Sequence, residues 1–397
     1  MKMEAVENPV KCSLLKSVED EKISHEVIFK RAVSLYYVSD SHNIGEIAEL
    51  FTGDRTIQAI GVVDDNGKAA GIVIRNELFS LIGQKFGREL YLNKSIRDVL
   101  ITPATVYYKR NTFSVIDELA DELKSEYNRF FILVDGENRY RGIISTSSLV
   151  LFLSEMMRRE LAAARRIHSA IITGSIEISG ERFEAAGSTV MAGETGGDFQ
   201  YIKKIGEGKW FISLCDVSGK GLNAGLISVA VSSMYAVYDF SRGIGELIRS
   251  INSYINDLFG GEIFLTGVFM EFDENSGELT VYDMGHSMFY ILRDGKAGTP
   301  SKQKENIPLG ILKGAEPVKS CIRLEKGDVI ISYTDGFPEQ CNMSNESFGE
   351  QKLLSIVLKY RNSELIQVQR IIADEVNSWR IGNAQGDDMS LLLLRVK

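Results

Sequence analysis

The sequence predicts a mixed α+β chain made of two folded units joined by a helix. Three observations carry this: an internal repeat in the first half, a helical stretch without Gly or Pro near the middle, and a second half of short apolar strands, several meeting an aspartate. A chain of 397 residues is long enough for two or three domains, each with its own core. Its 25% charged and 44% hydrophobic residues are ordinary for a globular protein. A net charge of −9 argues against a broad nucleic-acid footprint and against an electrostatic membrane anchor. Cys12, Cys215, Cys321 and Cys341 form no Cys-x-x-Cys pair, so reduced thiols are expected rather than a zinc or redox site. Met1 to Lys16 has no apolar signal region, and runs such as Leu149 to Leu153 and Leu391 to Leu394 are too short to span a bilayer. The expectation is a cytoplasmic protein.

The repeat holds a constant offset. Ala59-Ile60-Gly61-Val62-Val63-Asp64 aligns with Phe130-Phe131-Ile132-Leu133-Val134-Asp135, and Gly71-Ile72-Val73 with Gly142-Ile143-Ile144, both 71 residues apart. Ile44 and Ala48 align with Val115 and Leu119 at the same offset. Each unit reads as an amphipathic helix (Ile44 to Phe51; Phe113 to Leu123), an apolar strand, a polar turn and a second strand starting at the glycine. The turns Asp64-Asp65-Asn66-Gly67 and Asp135-Gly136-Glu137-Asn138 carry hairpin chemistry. Two such units should pack face to face.

From Leu149 to Ile172 there is no Gly or Pro, and Leu153, Met157, Leu161, Ala164, Ile167 and Ile171 recur on average every 3.6 residues. This predicts a linker helix whose apolar row is a dimer seam or docks on a neighbouring domain.

From Ile176 the pattern is strand-rich. Strands are expected at Trp210 to Cys215, Thr266 to Phe272, Leu279 to Met284, Met288 to Arg293, Val329 to Tyr333 and Met389 to Val396, and helices at Leu222 to Phe240, Ile244 to Phe259 and Ser363 to Ser378. Many antiparallel strands with a few long helices predict a sandwich.

Chemistry concentrates on four aspartates: Gly196-Gly197-Asp198-Phe199, Cys215-Asp216-Val217-Ser218-Gly219, Tyr333-Thr334-Asp335-Gly336 and Gly386-Asp387-Asp388-Met389. One Asp beside Gly is commonly a turn or cap. Four at strand ends instead suggest converging carboxylates, which need a counter-charge such as a hard divalent cation. Such a centre can activate water. Lys220 is expected to face solvent rather than contact phosphate, and His286 to be a buried hydrogen-bonding residue rather than a general acid or a metal's neighbour. The Walker pattern is absent, which excludes a nucleotide P-loop.

The repeat, with its Gly-Ile-Val and Gly-Ile-Ile strand starts, resembles a tandem pair of CBS domains over about Ala32 to Phe152. The resemblance implies adenine nucleotides as possible ligands between the repeats. Where that family often has Ser or Thr and then Asp, this chain has Ile74 and Glu77 in one unit and Ser145 and Ser148 in the other. A ligand-free dimerisation module is the alternative. The ordered motifs Gly196 to Phe199, Asp216 to Gly221, Gly285-His286, Pro308 to Ile311, Thr334 to Gly336 and Asp387 to Ser390 resemble the metal-dependent protein phosphatases, in the bacterial SpoIIE-type, RsbU-like branch.

The expected organisation is therefore an N-terminal segment (1–31), a CBS pair (32–148), a linker or signalling helix (149–175) and an α-β-β-α phosphatase sandwich with antiparallel sheets (176–397). The resemblance implies that Asp198 and Asp216 bridge or ligate two Mn²⁺ or Mg²⁺ ions, with the Val217 carbonyl, Asp335 and Asp387 completing the shells. Asp388, His286 and Gly197 would stand behind these ligands, with Asp388 competing with Asp387 for the ligand role. It also implies hydrolysis of phosphoserine or phosphothreonine on a STAS-type anti-sigma antagonist, in a homodimer formed through the CBS pair and linker helix. No nucleic acid or membrane is implied as a partner. The rivals are a non-catalytic pseudophosphatase and a nucleotide-sensing interaction module.

Overall fold

The computed structural model describes residues 14–19, 24–124, 129–299 and 305–397; Cys12 and much of the predicted 1–31 segment lie outside the described residues. The chain divides into two compact units between Arg158 and Arg159, inside the predicted linker helix.

In the first unit the repeat is visible in the hydrogen bonding. Strands Ala59–Val63 and Ala69–Ile74 pair antiparallel with Gly61 opposite Ile72. Strands Phe130–Val134 and Tyr140–Ser145 pair the same way with Ile132 opposite Ile143, again 71 residues on. Both pairs break register at the equivalent place, Val62/Val63 and Leu133/Val134. A parallel strand flanks each pair, Tyr36–Ser39 in one and Thr105–Tyr107 in the other. Asn43 caps helix Ile44–Gly53 through a capping box with Glu46, and Asn111 caps Thr112–Glu118; each satisfies amides that the first turn leaves open. The single predicted helix from Phe113 to Leu123 is broken: Leu119 leaves helical geometry and a separate turn, Ala120–Leu123, follows. Each repeat has its own core, and Ala59, Val63 and Ile72 pack with Ile132, Val134 and Ile143 between them.

The helix Thr146–Ile171 starts three residues before the predicted Leu149. Its apolar row is largely open: Met157 is 65% and Ile167 63% exposed. His168 on the same helix is buried.

The second unit is a sandwich of two antiparallel sheets. The first orders Phe199–Gly206, Lys209–Val217, Leu265–Asp273, Glu278–Met284 and Ser320–Arg323. The second orders Lys296–Gly298, Phe289–Arg293, Val329–Tyr333, Met389–Val396, Phe183–Val190 and Ser175–Ser179. Because strand side chains alternate, Ile212 and Leu214 fill the layer between the sheets, with Val268, Ile330 and Leu392, while Phe211 and Cys215 face the covering helices.

Helices Leu222–Val237 and Ile244–Phe259 cover the first sheet, and Glu350–Lys359 and Leu365–Trp379 the second. With both faces covered, strand Val329–Tyr333 is buried at every position, and each large apolar side chain so buried contributes about 1.5–3 kcal/mol. The predicted Leu222 to Phe240 helix ends at Val237, and a 3-10 turn, Phe240–Arg242, follows. This α-β-β-α layering sets Asp198, Asp216, Asp335 and Asp387 at or just beyond strand ends.

Candidate active site

Strand pairing brings the motif loops together. Asp198 immediately precedes its strand, and Asp216 is next to last in the neighbouring one, where Phe199 pairs with Cys215. On the facing sheet Asp335 follows Val329–Tyr333 and Asp387 precedes Met389–Val396, where Tyr333 pairs with Leu391. The loops pack because two glycines leave room. A Cβ on Gly336 would sit 1.9 Å from the Asp388 carbonyl oxygen, and one on Gly197 would sit 2.6 Å from the Val217 carbonyl oxygen.

A cleft of about 420 Å³ opens here, and Asp216, Val217, Lys220, His286, Asp335 and Asp387 are among the residues that line it. Asp198 lies beneath, fully buried, and shares a hydrogen bond with Asp216. Burial first, then the Asp216 charge, raises the Asp198 carboxyl well above its ordinary range, while the Thr334 and Ser390 hydroxyls oppose the shift. Burial, then Asp335, Asp387 and Asp388, push the Asp216 carboxyl up to about 7. Asp335 is also raised, by burial first and then by Glu339 and Asp387.

The two adjacent aspartates divide their work. Asp388 accepts from the Ala192 N–H at Oδ1 (2.8 Å) and the Gly197 N–H at Oδ2 (2.9 Å), so both its oxygens hold the loop that carries Asp198. Asp387 faces the cleft, with Oδ2 2.8 Å from Lys220 Nζ. Lys220 is exposed, as expected, and its ammonium also pairs with Asp387 Oδ2 and donates to the Gly386 carbonyl, each at 2.8 Å. His286 is buried. Its Nε2 donates to the Tyr333 carbonyl at 2.9 Å, and Nδ1 lies 3.4 Å from the Thr266 hydroxyl. It fixes the segment leading into Asp335.

Other residues of the site escaped the sequence reading. The Thr334 hydroxyl donates to Asp198 Oδ2 at 2.6 Å and accepts from the Ser390 N–H at 2.8 Å. The Ser390 hydroxyl in turn lies 2.8 Å from that of Thr189. Thr334 and Ser390 sat inside recognised motifs, so the signal was present; only the aspartates were read as chemistry. His168 reaches the Gly196 carbonyl with Nε2 (3.1 Å), and the Ser228 hydroxyl donates to the same oxygen (3.0 Å). No sequence pattern announces a histidine whose partner is a backbone carbonyl.

Among the described residues, no three acidic, histidine or cysteine side chains stand close enough, as placed, to hold one ion. The donor chemistry nonetheless fits a divalent cation. A buried carboxylate pair with further carboxylates beside it is electrostatically unfavourable alone and is relieved by a hard cation with oxygen ligands.

In the first unit a cleft of about 760 Å³ is lined by Ile72, Ile74, Glu77, Pro103, Arg129 and Phe130, among others. It lies between the two repeats.

The layering is that of a PP2C-like fold. More particularly, residues 206–397 match the stage II sporulation protein E (SpoIIE) family model and residues 26–84 the CBS domain model. The chain thus carries a SpoIIE-type phosphatase domain plus an N-terminal CBS domain. The SpoIIE match begins after Asp198.

Phosphoserine phosphatase RsbU of Bacillus subtilis (strain 168) is 20% identical over 246 residues, covering 62% of this chain and 72% of that protein. Protein IcfG of Synechocystis sp. is 23% identical over 225 residues, covering 49% of this chain and only 35% of that protein. Among solved structures, the SiaA-PP2C domain of Pseudomonas aeruginosa aligns over 62% of this chain and 99% of its own, with a TM-score of 0.51 and 15% identity, a likeness of fold. No helix among the described residues is long and apolar enough to cross a membrane.

Proposed function

We propose that the second unit hydrolyses phosphoserine or phosphothreonine on a partner protein, with metal ions held by Asp198, Asp216, the Val217 carbonyl, Asp335 and Asp387. The observation that carries this reading is the buried Asp198–Asp216 pair behind a cleft that Asp335 and Asp387 also line. Two Mn²⁺ or Mg²⁺ ions bound there would supply a water acidic enough to attack phosphorus at neutral pH and would neutralise the phosphate.

The chain's own residues do the rest. Thr334 turns Asp198, Asp388 anchors the Ala192–Gly197 loop, and His286 holds the segment before Asp335. Asp387 rather than Asp388 is the proposed ligand, because Asp387 lines the cleft while both oxygens of Asp388 are turned to the amides of the loop carrying Asp198; Asp387 Oδ1 also accepts from the Asp388 N–H at 2.9 Å. The test is phosphate release from candidate phosphoproteins with and without Mn²⁺. Turnover by Asp216→Asn at the wild-type rate would defeat the assignment, and absence of Mn²⁺ binding in calorimetry would favour the pseudophosphatase.

Residues 32–148 are read as a tandem CBS pair, since the second half repeats the pairing of the matched first half 71 residues on. The cleft between the repeats is the proposed adenine-nucleotide site, with Glu77 and Glu122 among its lining residues. A STAS-type anti-sigma antagonist is the proposed substrate, in cytoplasmic partner switching, by analogy with RsbU-like relatives. The open apolar row on Thr146–Ile171 supports a homodimer through the CBS pair and the linker helix. Dephosphorylation assays with AMP and ATP, and sedimentation of the full chain, test these points.

A further inference from the structure

We infer that Lys220 is the residue that grips the phosphoryl group of the substrate, an inference that rests on the phosphatase reading above. It is the only lysine or arginine among the residues lining the cleft, and the other charged side chains there are Asp216, Asp335 and Asp387. With Asp198 behind them, these make four carboxylates, a charge that two divalent cations balance. A phosphate monoester dianion then arrives with charge that, among the described residues lining the cleft, Lys220 is placed to meet. Its ammonium has three donors. One reaches Asp387 Oδ2 and one the Gly386 carbonyl, each at 2.8 Å, which leaves one for a phosphoryl oxygen.

The backbone is shaped to deliver this side chain. Lys220 lies between Gly219 (φ +97°) and Gly221 (φ +70°), and a Cβ at either would meet nothing within 4 Å. The glycines are therefore required by the turn rather than by crowding. The turn leads directly into helix Leu222–Val237, so the lysine is held at the mouth of the cleft while its stem remains in solvent. Asp387 keeps the ammonium at the rim of the cleft. The recognised group is thus a phosphate carried on an accessible side chain, and Lys220 senses its charge and oxygens, not the peptide around it.

The experiment is calorimetric titration of inorganic phosphate into the Mn²⁺-loaded full chain, for wild type, Lys220→Met and Lys220→Arg, with Mn²⁺ affinity measured separately for each. Loss of one charge-assisted hydrogen bond should weaken phosphate binding about ten-fold or more in Lys220→Met. Lys220→Arg should stay within about threefold of wild type, because it keeps the charge and donors. Mn²⁺ affinity should be unchanged within about threefold in both. Phosphate affinity unaffected by Lys220→Met, or absent from the wild type, overturns the inference. So does a parallel loss of Mn²⁺ affinity, which would make the lysine only a support for Asp387. Phosphate binding that depends on Lys220 in a protein that dephosphorylates nothing would sink the catalytic reading and leave this one standing.

Discussion

Replacing Asp216 with Asn should make the metal-free protein more stable while removing its function. The Asp216 carboxyl is pushed up to about 7 from an ordinary value of 3.8, with burial as the largest cause and the charges of Asp335, Asp387 and Asp388 following. A group whose folded value lies above its unfolded value binds its proton more tightly in the native state. It therefore costs stability as pH rises from about 4 to about 7, and that cost is full above 7. A shift of about three units corresponds to up to about 4 kcal/mol for the wild type at pH 8. Asparagine has nearly the same shape and no charge, so the metal-free variant should exceed wild type by about 1–4 kcal/mol at pH 8, with little difference at pH 4. Excess Mn²⁺ should reverse the order, because it stabilises only the protein that binds it. Urea unfolding in EDTA and in Mn²⁺ measures this, followed by tryptophan fluorescence: both tryptophans, Trp210 and Trp379, lie in the second unit. A metal-free Asp216→Asn protein no more stable than wild type at pH 8 would refute the reasoning.

Further perturbations probe the supports of the site. Thr334→Val removes the donor to Asp198 and the acceptor for the Ser390 N–H, so it should cost about 1–3 kcal/mol in urea unfolding and weaken Mn²⁺ binding several-fold, with Thr334→Ser restoring both. Gly336→Ala forces a Cβ to 1.9 Å from the Asp388 carbonyl; it should destabilise the second unit by at least about 2 kcal/mol and lower its melting temperature. His168→Phe leaves the Gly196 carbonyl with Ser228 alone, so phosphatase turnover should fall with Mn²⁺ saturation while helix content by circular dichroism is unchanged.

The motif aspartates and the sandwich were legible because they rest on local patterns: strands of alternating or continuous apolar residues, and Asp beside Gly at their ends; the α-β-β-α layer order came from the resemblance. The repeat was legible because a constant offset survives without any knowledge of contacts. What was not legible depended on which chains meet across the sandwich. Thr334 and Asp198 are 136 positions apart and Thr189 and Ser390 201, and neither pair has a signature beyond the polarity of a hydroxyl. The exposure of Lys220 was legible, but its pairing with Asp387 was not, because that carboxylate precedes a strand of the other sheet, far along the sequence.

The Asp387-Asp388 pair shows why the sandwich suits a charged centre. Asp387 sits at a bend and Asp388 just before the strand, and their side chains take different partners. One of two adjacent aspartates can then serve the cleft while its neighbour reaches back to tie down the loop carrying Asp198. Asp388 does so through two backbone amides, the Ala192 and Gly197 N–H groups. Those amides need an acceptor, and a carboxylate satisfies both while lending rigidity to the residue most deeply buried in the site. The register of Met389–Val396 is fixed by its leucines, since a one-residue slip would turn Leu392 and Leu394 out of the layer between the sheets and Leu391 and Leu393 away from their covering helices. The pairing that buries four leucines thus also fixes where the chain carrying the two aspartates enters the sheet.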